Sequence, residues 1–122
     1  MTLIDTSSWV EQLRASGDAA VRARVETLLQ TGRAAWCAVV RLELWAGVGN
    51  EKERTTLRAY AQELPELLID DEVWEEACKL ASRCRAAGKS APASDFLIAA
   101  CARHHRVPVE AADAHFDFLM QL

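Results

Sequence analysis

Residues 3–9 read Leu3-Ile4-Asp5-Thr6-Ser7-Ser8-Trp9, two apolar residues, an acid, and then hydroxyl side chains of the kind that start helices. Leu3 to Asp5 is a short strand that carries a carboxylate at its end. The same punctuation recurs along the chain. Glu43 follows Trp36-Cys37-Ala38-Val39-Val40, near the start of a helical pattern. Asp95 opens the helical run Phe96 to Ala102, and Asp113 closes the run Val107 to Ala112. In a parallel α/β sheet such positions lie on or near one edge, at the carboxyl ends of the strands, where open α/β folds place their ligands. Carboxylates crowded there repel one another unless a cation joins them. Hard oxygen donors suit Mg²⁺ or Mn²⁺, so the pattern points to metal-dependent chemistry on phosphates.

Working outward, the spacing alternates strand and helix. Ser7 or Ser8 caps a helix to about Ala15, broken by Gly17. Asp18 caps the next, with Val21, Val25, Leu28 and Leu29 on one face and Gly32 at its end. Ala34 to Cys37 is a second strand. A helix through Leu42, Leu44 and Trp45 runs to Gly47 and Gly49. Glu51 to Glu63 is amphipathic and stops at Pro65. Leu67 to Ile69 is a third strand. Asp71 begins a helix that ends at Gly88, and Lys89 to Ala93 is a loop. Ser94 caps the apolar helix that starts at Asp95. Val107 to Ala111 is a fourth strand and Ala114 to Leu122 a closing helix. Strands separated by helices imply right-handed crossovers and a parallel sheet.

Composition narrows the function classes. The 122 residues suffice for one domain with one core, and 51% hydrophobic residues exclude a disordered chain. No signal peptide and no membrane-spanning run is legible, so a cytoplasmic protein is expected. A net charge of −4 argues against a protein that coats nucleic acid, though not against an enzyme whose metal supplies local positive charge. None of Cys37, Cys78, Cys84 and Cys101 forms a C-x-x-C pair; Cys37 and Cys101 read as core residues. A Cys101-His104-His105 metal site has poor ligand spacing.

Together the four acidic segments resemble the PIN-domain ribonucleases. Leu3 to Trp9 is similar to the family's opening motif and Val40 to Gly47 to its second. Ser94 to Ala100 is similar to the third. Ala112-Asp113-Ala114-His115-Phe116 is similar to the fourth, an Asp followed two residues later by Asp or His and then Phe. Order and spacing match across nearly the whole chain, and the group it resembles most is the VapC-type toxins of prokaryotic toxin–antitoxin modules. The resemblance implies a PIN-like three-layer α/β fold over residues 1–122. Its parallel sheet would have four or five strands, with helices on both faces. It implies a metal-dependent endoribonuclease using Mg²⁺ or Mn²⁺ on tRNA or rRNA, restrained by a cognate antitoxin. Asp5 and Asp95 would be direct metal ligands. Glu43 and Asp113 would complete the shell, and Thr6 and Ser7 would support Asp5. A homodimer would set two acidic sites side by side, and Trp9, Leu44 and Trp45 are the apolar residues expected at such interfaces.

Two departures stand out. Ala111 replaces the Thr or Ser that the family usually carries two residues before the fourth Asp, removing a hydroxyl from the expected metal shell. Many relatives also continue into a last short strand. Asp117, four residues after Asp113, is an auxiliary ligand or a solvated acid. Arg103-His104-His105-Arg106 is a dipole-favoured helix C-terminus. Arg83, Arg85 and Lys89 lead into the loop before Asp95 and are candidates for phosphate contact. Two rival readings stay open. A phosphorelay receiver domain has this size and an acidic pocket, but wants paired acids after the first strand and a lysine after the last. A PIN-like module that binds without cutting shares every fold feature.

Overall fold

A computed structural model describes residues 1–122. The first strand, β1, spans Thr2–Ile4 and is buried throughout. Asp5 follows it and caps α1 (Thr6–Leu13), its carboxylate accepting from the Ser7 amide. Neither Ser7 nor Ser8 is the cap, because the Asp5 carboxylate, two positions before Ser7, takes the free amide. Asp18 caps α2 (Ala19–Gln30), as the pattern implied. Then come β2 (Ala34–Cys37), α3 (Ala38–Ala46) and α4 (Glu51–Glu63). The third strand, β3, is Glu66–Leu67, shorter and earlier than Leu67 to Ile69. Helix α5 (Asp71–Ala86) starts at Asp71 as expected, capped by Asp70. Helix α6 (Ala93–His105) begins after Pro92 with no side-chain cap, so Ser94 is free for another partner. It ends at Arg106, in the left-handed region with φ 57°. The last elements are β4 (Val109–Glu110) and α7 (His115–Leu119), both trimmed relative to the sequence reading.

All strand pairs are parallel, in the order β3-β2-β1-β4. Leu3 lies opposite Ala35 on one side and Val109 on the other. From β1 the chain steps to β2 and then β3, and afterwards crosses back to β4. Right-handed crossovers then put α1 to α4 on one face of the sheet and α5 and α6 on the other, the three-layer arrangement expected. The crevice between β1 and β4 is the switch point of this sheet, where open α/β folds bind ligands. Asp5 and Asp113 follow these two strands. The sheet has four strands, and β4 is its edge.

One cluster of 22 buried residues joins sheet and helices, including Leu3, Trp36, Leu57, Leu80, Ile98 and Leu119. Cys37 and Cys101 are part of it. So are two residues expected at an exposed interface. Trp9 is 0% and Leu44 4% exposed. Trp9 faces inward between Tyr60 of α4 and Trp36 of β2: its ring meets Tyr60 at a tilt with centroids 4.9 Å apart, and Trp36 edge-on at 6.3 Å. Its indole N–H has no hydrogen-bond partner. Trp45 is only half-buried, and the large apolar residues left in solvent are Met1, Leu42, Leu68 and Trp74.

Removing a fully buried Trp leaves a cavity between α1, β2 and α4. Trp9→Ala should therefore destabilise the protein by about 3–5 kcal/mol, measured by urea denaturation. A loss below about 1 kcal/mol, as for a surface residue, would contradict this packing.

Candidate metal centre

Parallel strands deliver their carboxyl ends to one edge, and the acids named from the sequence gather there. Asp5 is 4% and Asp95 7% exposed. Asp95 lies in the first turn of α6, where the helix dipole favours a negative charge. Asp113 sits in the turn after β4 and accepts from the His115 amide at 2.9 Å. Glu43 projects from α3. Its two oxygens accept from Thr6 Oγ1 at 2.8 Å and Ser94 Oγ at 3.3 Å. Ser94 therefore ties the second acidic segment to the third, the role it takes in place of capping. Mutual repulsion registers in the titration of the group. Burial pushes the Asp5 carboxyl up, the Ser7 hydrogen bonds pull it down, and Glu43 adds to the rise. Burial, with the charges of Asp5 and Asp113, pushes Asp95 up to about 6 against the pull of His115.

The sequence reading quoted His115 in its motif but assigned it no role. Its Nδ1 lies 2.9 Å from an Asp95 oxygen and 2.8 Å from an Asp113 oxygen. In the tautomer with its hydrogen on Nδ1, the ring donates to Asp95 and stands within ion-pair distance of Asp113, so it bridges the third and fourth segments. One ligand atom from each of Asp95, Asp113 and His115 lies within 4.8 Å of the others. Asp5 and Glu43 stand beside this trio without joining that tight group. The fourth motif, in which the second position is Asp or His, was the signal that pointed to His115.

Ser7 binds the first and fourth segments together. Its hydroxyl donates to Asp5 Oδ2, so its lone pairs are left to accept from the amides of Ala112 at 3.0 Å and Asp113 at 3.2 Å. A hydroxyl thus reaches the Asp113 turn from α1, although position 111 is Ala. Behind the site, the Asp5 amide donates to the Glu110 carbonyl, and the Glu110 carboxylate takes Ser8 Oγ at 2.7 Å and Arg24 Nε at 2.6 Å.

The remaining candidates lie apart. Asp117 is exposed on α7 and outside the trio. Because α7 starts only at His115, Asp113 and Asp117 share no helical face. His105 contacts the Leu68 carbonyl at 2.8 Å while Cys101 points at the Leu67 carbonyl, and no Cys/His site forms. Arg103 donates to the Leu119 carbonyl, holding α7 against α6. Arg83 reaches Leu122 and Glu76, whereas Lys89 lies over the Phe118 ring at 5.0 Å.

As donors, the carboxylates fit a hard divalent cation: they offer oxygen, two of them lie in one tight group with the other two at the same edge, and burial and like charge oppose their ionisation. Asp5 and Asp95 both hold protons more tightly folded than their ordinary values allow. Between the usual carboxylate range and about pH 6 the native state therefore binds more protons than the unfolded chain, and stability falls as pH rises through that window. In chelator, Asp95→Asn should gain stability relative to wild type as pH is raised from about 4 to about 6. Melting curves across that interval check this, and a parallel pH response of the two proteins would refute it.

The match to known proteins spans the same elements. A profile of the PIN domain matches residues 2–118. The ribonuclease VapC11 of Mycobacterium tuberculosis is 35% identical over 125 aligned residues, covering 100% of this chain and 93% of its own. Among solved structures, FitAcB from Neisseria gonorrhoeae aligns over 100% of this chain and 94% of its own with a TM-score of 0.74 at 24% identity. VapBC-5 of M. tuberculosis, a member of the VapBC family of toxin–antitoxin systems, aligns over 97% of this chain and 89% of its own with a TM-score of 0.69 at 23% identity. At those identities the two structures speak for the fold, and the full-length relative narrows the group: the chain belongs to the PIN-domain family, among its VapC-type ribonucleases.

Proposed function

We propose that this protein is a metal-dependent endoribonuclease, the toxin of a toxin–antitoxin pair, with Asp5, Glu43, Asp95 and Asp113 as its catalytic acids. The observation that carries this reading is the convergence of these carboxylates at one edge of the sheet, two of them drawn onto His115. Asp5 and Asp95 are the direct ligands of Mg²⁺ or Mn²⁺. Glu43 and Asp113 complete the shell and orient the attacking water. When bound, the cation supplies positive charge against the phosphate and makes that water more acidic. Thr6 and Ser94 hold the Glu43 carboxylate in one orientation, and Ser7 does the same for Asp5. His115 restrains Asp95 and Asp113 at a fixed separation. The RNA substrate is tRNA or rRNA, which places the enzyme in the cytoplasm.

The antitoxin partner is inferred from kinship with the VapBC systems. A basic residue of such a partner entering the carboxylates would compete with the cation through charge-assisted hydrogen bonds. Trp9 is buried and cannot anchor a partner. Trp45, half-buried on the helix that carries Glu43, retains that part. A homodimer would cover some of the apolar residues left in solvent, such as Leu42 and Trp74.

Asp5→Asn should remain folded and cut RNA roughly 100-fold more slowly or worse. Millimolar Mn²⁺ should raise the melting temperature of the wild type and raise that of Asp5→Asn less. Wild-type cleavage by Asp5→Asn, or RNA cleavage by a protein whose melting ignores Mn²⁺, would remove the metal site from this edge. These measurements also separate an enzyme from a binding module of the same fold.

Ser7 supports the ligands without being one. Ser7→Ala should weaken Mn²⁺ binding about tenfold, the lower end of the 10–100-fold typical of outer-shell partners. Ser7→Thr, which keeps the hydroxyl, should restore most of it. Titration calorimetry of the purified variants reads this directly, and equal affinities for Ala and Ser would leave Ser7 a structural tie between α1 and the Asp113 turn with no effect on metal binding.

A further inference from the structure

An acidic protein with a carboxylate site repels the polyanion it is meant to cut, so some cation has to meet the strand near that site. Several of the basic residues are already engaged. Arg24 pairs with Glu110, Arg41 with Glu66, Arg54 and Arg58 with Glu51, and Arg83 and Arg103 with Glu76. Lys89 has no carboxylate partner, and its contacts lead straight to the acidic edge. Its ammonium lies 5.0 Å from the centroid of the Phe118 ring. That ring meets His115 edge-on at 6.3 Å, and His115 Nδ1 lies 2.9 Å from an Asp95 oxygen and 2.8 Å from an Asp113 oxygen.

The backbone holds Lys89 as firmly as its side chain is held. Helix α5 closes with Gly88 in the left-handed region, φ 71°, and the Lys89 amide donates back to the Cys84 carbonyl at 3.0 Å. This is the Schellman closure of a helix, which fixes the residue after the glycine. Three residues later Pro92 opens α6, whose first turn carries Asp95. A cation over an aromatic face is attracted by the ring quadrupole, yet gives none of its N–H donors to an acceptor. Lys89 is thus a positioned ammonium with its hydrogen bonds unspent, exposed to solvent and separated from His115 by one ring.

We propose that Lys89, held over Phe118 beside His115, binds a phosphate of the RNA strand flanking the one that is cleaved. This rests on the nuclease reading above and adds a substrate-binding position to it. Lys89 touches neither the acids nor the reacting phosphate, so it contributes to binding rather than to the chemical step. An ammonium also gives no base preference, so it serves affinity and register along the strand rather than sequence choice.

The test is steady-state cleavage of an oligoribonucleotide that the wild type cuts, in saturating Mn²⁺. Lys89→Ala should raise KM roughly fivefold with kcat within about twofold, and Lys89→Arg should restore KM. The dependence of log(kcat/KM) on log salt should become shallower by about 0.7, the loss of one single-strand phosphate contact. Lys79→Ala, a charge removed from α5 away from these contacts, should leave KM and slope unchanged. In parallel, binding of the same RNA to Asp5→Asn and to Asp5→Asn/Lys89→Ala is read by fluorescence anisotropy, with the double variant expected to bind about fivefold more weakly. An unchanged KM and salt slope, a fall in kcat equal to that in kcat/KM, or the same KM rise in Lys79→Ala would overturn the assignment. If the wild type cuts no RNA, the nuclease reading falls, and the anisotropy pair still decides whether Lys89 binds a strand.

Discussion

Asp5 is a carboxylate almost sealed from solvent at the carboxyl end of β1, and much of the active edge is arranged around keeping it there. A buried acid must find hydrogen bonds or give up its charge. Asp5 finds them in the first turn of α1, where a helix start leaves amides without partners. The Ser7 hydroxyl gives it its proton and, with its proton committed, can only accept from the turn that carries Asp113. One acid therefore sets the direction of α1, and through Ser7 the position of the turn after β4. The backbone amide of Asp5 is spent on β4 as well, at the Glu110 carbonyl.

The rest of the site is a balance of repulsion and restraint. Asp95 is raised by burial and by its acidic neighbours, so the metal-free group is a strained arrangement of charge. Local groups relieve part of it: His115 between Asp95 and Asp113, Thr6 and Ser94 on Glu43. None of these contacts removes a negative charge from the cluster, which leaves a place where a divalent cation gains more than any side chain would. Strain of this kind is a common feature of functional sites, where stability is traded for a preorganised charge distribution. The sharing of work among hydroxyls also explains how the chain does without one at Ala111. The turn that a Thr or Ser there would brace is braced from α1 instead.

Element order and type were readable because each helix carries a 3.6-residue apolar repeat and each strand is a short apolar run bounded by Gly, Pro or Asp. The acids were readable for a related reason: at a strand end in a parallel sheet, an acid has one edge to occupy. The misreadings share a cause. Propensity offers Ser7, Ser8 and Ser94 as caps, but a cap is decided by which side chain can reach an open amide, and Asp5 precedes the first two serines while Pro92 opens α6 without a side-chain cap. Spacing alone leaves Trp9 and Leu44 open to the surface, since no periodicity shows that Trp9 meets Trp36 of β2 and Tyr60 of α4. The expected strands β3 and β4 are too long because apolar residues beside them make no sheet pairing: Leu68 lies in solvent, and Ile69, Val107 and Ala111 are partly buried against the core.

By itself the sequence determined the alternation of strands and helices, the parallel class of the sheet, the family, and the four acids with their order along the chain. These follow from local spacing and from motifs that lie within a few residues of one another. Only the tertiary structure decided which groups bridge the acids. His115 joins Asp95 across 20 residues, Ser94 joins Glu43 across 51, and Ser7 joins the Asp113 amide across 106. The same holds for Lys89, whose ring partner Phe118 arrives from the last helix. Hydrogen bonds and ring contacts act over a few ångströms of space, whatever the distance along the chain, so such pairings come into view only once the strand order β3-β2-β1-β4 has folded the four segments onto one edge.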